Sequence, residues 1–159
     1  GFFDTLKILD KGRIGIGAWA VGVGRAAFEA SRKYAQERVQ FGKPIAEFQA
    51  IQHMLADMAT ELDAARLLVW RGAWMQDQKL KTTRESSVAK YYAARATMRA
   101  CNNAIQIHGG YGYTREFDVE RYLRDAKPGE IGEGTNEVQK MVIAREWLKD
   151  WSEQPGFVG

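Results

Sequence analysis

Cysteine, histidine and proline are scarce in this sequence of 159 residues. It contains one cysteine (Cys101), two histidines (His53 and His108) and three prolines. A single cysteine cannot form a disulfide within the chain, and these three residues do not have the spacing of a zinc site. Cys101 has small and apolar neighbours in the sequence, so we expect a buried core residue rather than a nucleophile.

Long apolar runs and blocks of like charge are also missing. No apolar stretch approaches the roughly 20 residues that span a membrane, and the first four residues do not begin a signal sequence. The net charge is +3, and lysine and arginine alternate with acidic residues. This pattern is typical of solvated helix faces, so we expect neither a nucleic-acid nor a membrane partner. The chain does not start with methionine, and we expect a fragment or a processed chain.

The length and the 45% hydrophobic content predict one compact domain over residues 1–159. Hydrophobic spacing predicts helices over residues 11–39, from Pro44 onward, over 84–107, over 116–124, and from Thr135 onward. The second of these carries apolar residues in steps of four and three, the pattern of a helix packed in a bundle: Ile51, Leu55, Met58, Leu62, Ala65, Val69 and Gly72. No strand pattern competes, so the predicted fold is all-α.

Several local features refine this prediction. Ser86 and Ser87 are candidate N-caps of the alanine-rich third helix. Residues 108–114 contain too many glycines for a helix interior and are predicted to form a loop. Pro128 and Gly129 are predicted to turn the chain. Two G-x-G-x-x-A patterns, at 15–20 and 22–27, follow no predicted strand, so we interpret their glycines as points of close packing or ligand approach.

Glu133 is the acidic residue that best fits a chemical role. Gly132 and Gly134 flank it and leave room for a substrate, while Thr135 is a good N-cap for the following helix. By itself, this pattern is explained more simply by the preference for acids near helix N-termini. The glycine-rich residues 106–112 and the segment 38–42 add two further places where backbone is exposed, which suggests a large ligand.

Five motifs in this order resemble the acyl-CoA dehydrogenase family, and specifically its C-terminal helical domain. They are Arg38-x-Gln40-Phe41-Gly42-x-Pro44, Phe48-Gln49, Gln106-Ile107-His108-Gly109-Gly110-x-Gly112-Tyr113, Arg124-Asp125-Ala126 and Glu133-Gly134-Thr135-x-Glu137. Each motif is weak alone, but together they extend across approximately residues 3–148.

This resemblance implies an up-and-down four-helix bundle at the core of a homotetramer or homodimer. It also implies an N-terminal α domain and a middle β domain in the intact enzyme, which residues 1–159 would not contain. FAD is the implied cofactor, acyl-CoA the substrate and electron-transfer flavoprotein the acceptor. The implied location is the bacterial or archaeal cytoplasm, or the mitochondrial matrix. Because the β domain forms much of the flavin-binding surface in this family, we expect the isolated C-terminal domain to be inactive.

The resemblance also assigns roles to individual residues. Glu133 is implied to be the base that removes the α-proton of the thioester while a hydride passes to flavin. The implied substrate-binding residues are Asp10, Arg13 and Gly134. The implied FAD-binding residues are Arg38, Gln40, Phe41, Gln49, Gln106, Ile107, His108, Gly109, Gly110, Thr135 and Glu137. Among them, Arg38, Gln49 and the loop 106–110 are implied to hold the adenosine diphosphate of a neighbouring subunit's FAD, and Thr135 and Glu137 to touch FAD from the other side. Gly132 replaces the aromatic residue that usually precedes the glutamate, which leaves the acyl specificity undetermined.

Two alternatives stay open on the sequence. One is an acyl-CoA oxidase-like flavoprotein that passes electrons to oxygen. The other is a non-catalytic helical module for oligomerisation, with Glu133 as a bystander. We expect the enzyme to bring Glu133 together with the Arg38 and Gln106 regions in one cleft, and the module to leave them on unrelated surfaces. Self-association is expected in either case, because the first and third helices are apolar on more than one face.

Overall fold

The computed structural model describes the backbone of residues 2–149 and the side chains of residues 12–149. Its five α-helices are α1 (Phe2–Glu37), α2 (Gln49–Asp77), α3 (Thr83–His108), α4 (Val119–Ile131) and α5 (Asn136–Leu148). Within this range, no helix has the length and apolarity needed to cross a membrane.

Short elements connect the helices. Strands β1 (Val39–Gln40) and β2 (Lys43–Pro44) form an antiparallel hairpin after α1, and a 3-10 helix, Ile45–Glu47, leads into α2. A second 3-10 helix, Gly109–Tyr113, follows α3. The all-α prediction is confirmed, with this small hairpin as the one sheet in the described residues.

Helix α3 lies at the centre of the bundle and contacts the other four helices. Arg13 and Thr97 form hydrogen bonds between α1 and α3, to Ser87 Oγ and to the Ala20 carbonyl, so these helices run parallel. Gly17 lies against Val69 and Gly72 against Ile14, so α2 runs antiparallel to α1.

The fourth member of the bundle is a helix broken in two. Gly129 of α4 lies close to Ala94, Asn136 of α5 accepts a hydrogen bond from Lys90, and Glu146 of α5 pairs with Lys81 just before α3. In these contacts the residue numbers in and just before α3 decrease as the residue numbers in α4 and α5 increase. Helices α4 and α5 therefore run in the same direction, antiparallel to α3. This gives the predicted up-and-down order, with an interruption at residues 132–135.

The core follows the predicted faces. Met58, Leu62, Ala65 and Val69 of α2 are buried, and so are the alanines that face them from α3. Cys101 is fully buried, and burial raises the pKa of its thiol to about 12, which confirms a core role. The glycine patterns of α1 lie inside one continuous helix, so they cannot open a dinucleotide-binding turn.

The predicted turn at Pro128 and Gly129 is wrong, because α4 continues to Ile131. A proline in a helix removes one N–H donor, and here the helix gains only one more turn after it, closed by the Gly132 amide donating to the Pro128 carbonyl at 2.7 Å. Gly129 has no side chain, which allows α4 to pack against the Trp19 ring of α1.

Three boundary predictions are also wrong. Ser86 and Ser87 do not cap α3; they lie inside it, and both hydroxyls donate to the Thr83 carbonyl. Pro44 belongs to β2 rather than to the first turn of α2. The predicted loop at 108–114 is largely the 3-10 helix, whose tighter turns tolerate the glycines.

The reason given for self-association does not hold for α3, because its apolar and small residues are buried against helices of the same chain and its exposed positions are polar: Arg95, Arg99, Asn102 and Gln106. Large exposed apolar side chains lie on α2 instead, at Leu67, Trp70 and Trp74. The oligomeric state stays a prediction.

Candidate active site

Glu133 lies at the break between α4 and α5. Its φ is 55° and that of Gly134 is 87°, so two consecutive residues adopt the left-handed conformation. For a residue with a side chain this conformation costs about 1–3 kcal/mol and persists only where the surroundings enforce it. Helix α4 ends at Ile131, followed by an extended Gly132, and the two left-handed residues then turn the chain before α5 begins. The Glu133 side chain is exposed.

Buried polar side chains form hydrogen bonds to the backbone of this break from the bundle interior. The Gln139 amide nitrogen donates to the carbonyls of both Glu133 and Gly134, each at 3.0 Å. The Lys90 ammonium donates to the Gly134 carbonyl at 2.8 Å and to the Asn136 side-chain oxygen at 3.2 Å. The two carbonyls therefore have side-chain donors in place of helix N–H groups.

Thr135 is the N-cap of α5, as predicted. Its hydroxyl accepts a hydrogen bond from the Val138 amide at 3.4 Å. Because Thr135 fills the cap position, Glu133 is not the capping residue of this helix. Glu133 lies two residues before this cap.

Gly12 of α1 faces the Glu133 carboxylate and was missed by the sequence reasoning. A Cβ atom on Gly12 would lie 2.7 Å from Glu133 Oε2 and 3.0 Å from its Cδ, closer than such atoms approach. The absence of a side chain at Gly12 therefore allows the Glu133 carboxylate to pack against α1. The available signal was a glycine inside a predicted helix, next to residues already assigned to substrate.

The two predicted substrate residues on α1 differ in how far they can be described. The Asp10 side chain lies outside the described residues. Arg13 is only 7% exposed, and its guanidinium donates to Ser87 Oγ at 3.3 Å. It lies next to Gly12 but is enclosed between α1 and α3. Gly134 follows Glu133 directly, and Glu137, in the first turn of α5, is exposed.

A second site lies at the other end of α3, around a cavity of about 470 Å³. Six of the predicted FAD-binding residues line it: Arg38, Gln40, Ile107, His108, Gly109 and Gly110. The sequence reasoning missed four further lining residues, Tyr34, Ile45, Tyr111 and Thr114. Phe41, Gln49 and Gln106 are exposed and do not line the cavity; Phe41, at the hairpin tip, is 92% exposed.

Arg38 supplies the positive charge of this cavity. Its guanidinium lies 5.3 Å from the centre of the Tyr111 ring. His108 stacks on Tyr34 at 4.2 Å, its Nδ1 donates to the Ala104 carbonyl at 2.8 Å, and burial lowers its pKa, so it is neutral near pH 7. Among the described residues, no atom lies within 4 Å of where a side chain at Gly109 or Gly110 would begin, so their backbone is open.

The expectation of a single cleft is wrong, and this criterion, applied within one chain, does not favour the enzyme over the non-catalytic module. Lys90, beneath the Glu133 break, and His108, in the cavity wall, are 18 residues apart on α3. At 1.5 Å per residue, this separation is about 27 Å. The Glu133 site and the Arg38 cavity are therefore two sites at opposite ends of the same helix, and they cannot share one small ligand within one chain.

Comparisons with known proteins identify the fold. Residues 1–148 match the family model described as "Acyl-CoA dehydrogenase, C-terminal domain". The chain is 57% identical over 149 residues to the probable acyl-CoA dehydrogenase YngJ of Bacillus subtilis, covering 94% of this chain and 39% of that protein. It is 50% identical, with the same coverage, to CarC of Acetobacterium woodii, a subunit of a caffeyl-CoA reductase-Etf complex.

A solved structure agrees with these relatives. Butyryl-CoA dehydrogenase from Megasphaera elsdenii superimposes with a TM-score of 0.93 at 44% identity, over 94% of this chain and 39% of that one. The chain thus spans about two fifths of the length of the proteins that it matches. It belongs to the acyl-CoA dehydrogenase family and corresponds to the C-terminal domain of that family.

Proposed function

We propose that this chain is the C-terminal part of an FAD-dependent acyl-CoA dehydrogenase, in which Glu133 is the base. The observation that carries the proposal is the helix break at 132–135, which holds Glu133 in a left-handed conformation with its carboxylate against Gly12. A carboxylate that only favoured the helix N-terminus would need neither feature. Strained backbone at a named acid is typical of catalytic sites.

In the proposed reaction, an acyl-CoA thioester loses the α-proton to Glu133 and the β-hydrogen as a hydride, and the product is a trans-2-enoyl-CoA. FAD, when bound, supplies the hydride acceptor. The carboxylate can receive the proton because it is exposed at the surface of this chain and faces a helix with no side chain at Gly12. Gly134 keeps the neighbouring surface free of side-chain bulk, and Glu137 borders the same region.

The residues of the second site fit the adenosine diphosphate part of FAD. A guanidinium and open glycine backbone are a suitable set for a pyrophosphate, since the arginine supplies charge while amides can approach the oxygens. The tyrosine rings of the cavity add flat surface for stacking, and its isoleucine side chains add apolar surface. Because about 27 Å of α3 separates Arg38's cavity from Glu133, we propose that these two sites serve different FAD molecules, shared between subunits of an oligomer.

Electron-transfer flavoprotein is the proposed electron acceptor. CarC, half identical to this chain, is named as a subunit of a complex with Etf. An oxidase-like protein, which reduces oxygen instead, is the alternative. The two acceptors are distinguished by comparing the rates at which electron-transfer flavoprotein and oxygen reoxidise the reduced flavin.

The test uses the full-length protein that carries this chain, loaded with FAD. A panel of acyl-CoAs that differ in length and branching is mixed with it anaerobically, and the oxidised flavin band is followed. We expect at least one thioester to bleach the band and yield the 2-enoyl product. No bleaching with any thioester, by a protein shown to bind FAD, would overturn the proposal. Adding electron-transfer flavoprotein or oxygen to the bleached protein then separates dehydrogenase from oxidase.

A reductase acting in the opposite direction is the second candidate, because CarC carries a reductase name. The same carboxylate would then deliver the proton to the α-carbon. Chemically reduced protein mixed with 2-enoyl-CoAs separates the two directions. Reoxidation by an enoyl-CoA that is much faster than bleaching by the matching acyl-CoA would favour the reductase.

A further inference from the structure

Two carbonyl groups at the Glu133 break depend on side chains for their hydrogen bonds. The carbonyls of Glu133 and Gly134 lie between the end of α4 and the first residue of α5. Three of the hydrogen bonds that they accept come from Lys90 and Gln139. The direction of these carbonyls sets the orientation of the adjoining peptide planes, and therefore where the Glu133 Cα–Cβ bond points.

Lys90 is the largest fully buried side chain of the described residues, at 0% exposure. Burial lowers the pKa of its ammonium, Glu130 and Glu137 favour the charge, and Arg13 opposes it. A buried cation is costly unless its hydrogen bonds compensate, and an apolar side chain of similar length would pack between these helices without that cost. Both of its hydrogen bonds go to the start of α5, so the benefit of this lysine is concentrated at the break.

Gln139 has the same character. It is 0% exposed, its amide nitrogen donates to both carbonyls, and its Oε1 has no hydrogen-bond partner among the described residues. A buried acceptor without a partner also lowers stability. Two buried polar side chains from different helices, α3 and α5, thus converge on the same two carbonyls beside one carboxylate.

We propose that Lys90 and Gln139 are positioning residues that fix the Glu133 carboxylate in its reactive place. This inference rests on the proposed role of Glu133 as the base. They touch no reacting atom; they act by holding the left-handed pair Glu133–Gly134 against relaxation into a continuous helix. Catalysis depends on placement within a fraction of an ångström, and a displacement of about 1 Å can cost about 10²-fold in rate.

The test replaces each residue with methionine, in Lys90→Met and Gln139→Met, in the full-length FAD-loaded protein. Methionine keeps the length of the side chain and removes its donors. Lys81→Met is the matched control, because Lys81 also ties α5 to the N-terminal end of α3, through Glu146 at 2.7 Å, but at the opposite end of α5. Three quantities are measured: the limiting rate of flavin reduction, the acyl-CoA concentration that gives half of it, and the deuterium exchange of the segment 132–136.

For Lys90→Met and Gln139→Met we expect the limiting rate to fall by about 10- to 100-fold, with little change in the half-saturating concentration. The amides of residues 132–136 should exchange faster, while FAD content stays at the parental level. Lys81→Met should lower the unfolding temperature but keep the parental rate. A merely structural role predicts instead that all three variants lose stability and that rate follows FAD content.

Glu133→Gln, measured alongside, separates this proposal from the proposed function. If Glu133→Gln keeps the parental rate, Glu133 is not the base and the proposed function fails with it. If Glu133→Gln is inactive but Lys90→Met and Gln139→Met keep the parental rate, the positioning proposal alone is wrong. Should Lys90→Met fail to fold, Gln139→Met decides by the same readouts.

Discussion

Two breaks between helices in the described residues have nearly identical pairs of φ values, but their surroundings differ. Phe41 and Gly42, between α1 and α2, have φ values of 52° and 80°; Glu133 and Gly134, between α4 and α5, have 55° and 87°. The first pair forms the two-residue turn of a hairpin, whose twist favours two left-handed residues. The second pair lies outside any strand and joins two helices that both run antiparallel to α3.

The two interruptions are held by different means. Around Phe41 and Gly42 the chain is open: the phenylalanine is 92% exposed, and no described atom lies near where a Gly42 side chain would begin. Around Glu133 and Gly134, buried donors from α3 and α5 bind the backbone, and Gly12 accommodates the carboxylate. The hairpin is a local turn, whereas the Glu133 break is imposed by tertiary contacts, as expected for a site that must hold one reactive group.

Gly134→Ala is the substitution with the largest expected effect on stability. At φ 87° an alanine is strained, and its Cβ would lie 2.8 Å from the Gln139 amide nitrogen and 3.4 Å from Val138 Cγ1. We expect the free energy of unfolding to fall by about 2–4 kcal/mol, since the left-handed penalty and the displacement of a buried side chain add. Urea unfolding followed by circular dichroism measures it.

Gly42→Ala is the matched control for this comparison. It carries the same left-handed penalty, about 1–2 kcal/mol, but no steric clash. Equal losses for Gly42→Ala and Gly134→Ala would mean that the Glu133 break is no more enforced than a surface turn.

Glu146→Gln tests how much the ion pairs of Glu146 stabilise the C-terminal end of α5. Burial alone raises the pKa of this carboxyl, but hydrogen bonds from Lys149 and Lys81 outweigh it and lower the pKa from 4.5 to about 2. The folded state therefore holds its proton more weakly than the unfolded state. The resulting stability is fully present above about pH 4.5 and is lost as the pH falls towards 2.

We expect Glu146→Gln to cost about 1–2 kcal/mol at pH 7, less than the full shift implies because both lysines are largely exposed. The difference between parent and variant should shrink steadily between pH 4.5 and 2. A difference that did not change with pH would show that packing, not charge, anchors this end of α5.

Gly12→Ala has the smallest expected effect on stability. We expect it to leave stability unchanged or slightly higher while it impairs function. Alanine favours a helix interior over glycine by up to about 1 kcal/mol, but its Cβ would displace the Glu133 carboxylate. We expect unchanged or slightly higher stability, with slower flavin reduction in the full-length protein. Gly15→Ala is the control on the same helix, where a side chain meets no described atom within 4 Å; it should gain stability and keep the rate.

The sequence was sufficient for the features that repeat along helices. The seam of α2, the small residues of α3, the burial of Cys101 and the cap at Thr135 follow from spacing and local chemistry, and the structure confirms them. These features depend on contacts at regular intervals, which hydrophobic periodicity reports directly.

Features that arise from distant contacts could not be predicted in this way. Pro128 and Gly129 indicated a turn, but packing against α1 and α3 keeps α4 helical past both. Lys90 looked like an ordinary helix lysine, because nothing local shows that its charge lies beneath a loop 44 residues away. Gly12 belonged to a stretch assigned to substrate, but only the fold places it against Glu133.

The separation of the two sites is the larger difference between the expectation from the sequence and the structure. The glycine-rich segment at 106–112 and Glu133 were expected in one cleft, and they lie at the two ends of α3. Motif order along a chain does not report distance in space, and the 18 residues of α3 from Lys90 to His108 separate the two sites by about 27 Å. The proposed sharing of FAD between subunits would reconcile both sites with one function.

The central claim is that Glu133 is the base, and Glu133→Gln compared with Glu130→Gln tests it most directly. Glu130 is a suitable control because it lies in the last turn of α4 and pairs with Lys127 at 2.6 Å. Each variant of the full-length FAD-loaded protein is mixed with an acyl-CoA that bleaches the parent, and the flavin band is followed through one turnover. We predict that Glu133→Gln binds the thioester but loses about 10²- to 10⁴-fold or more in the rate of flavin reduction, while Glu130→Gln stays near the parental rate. A parental rate for Glu133→Gln would contradict the account.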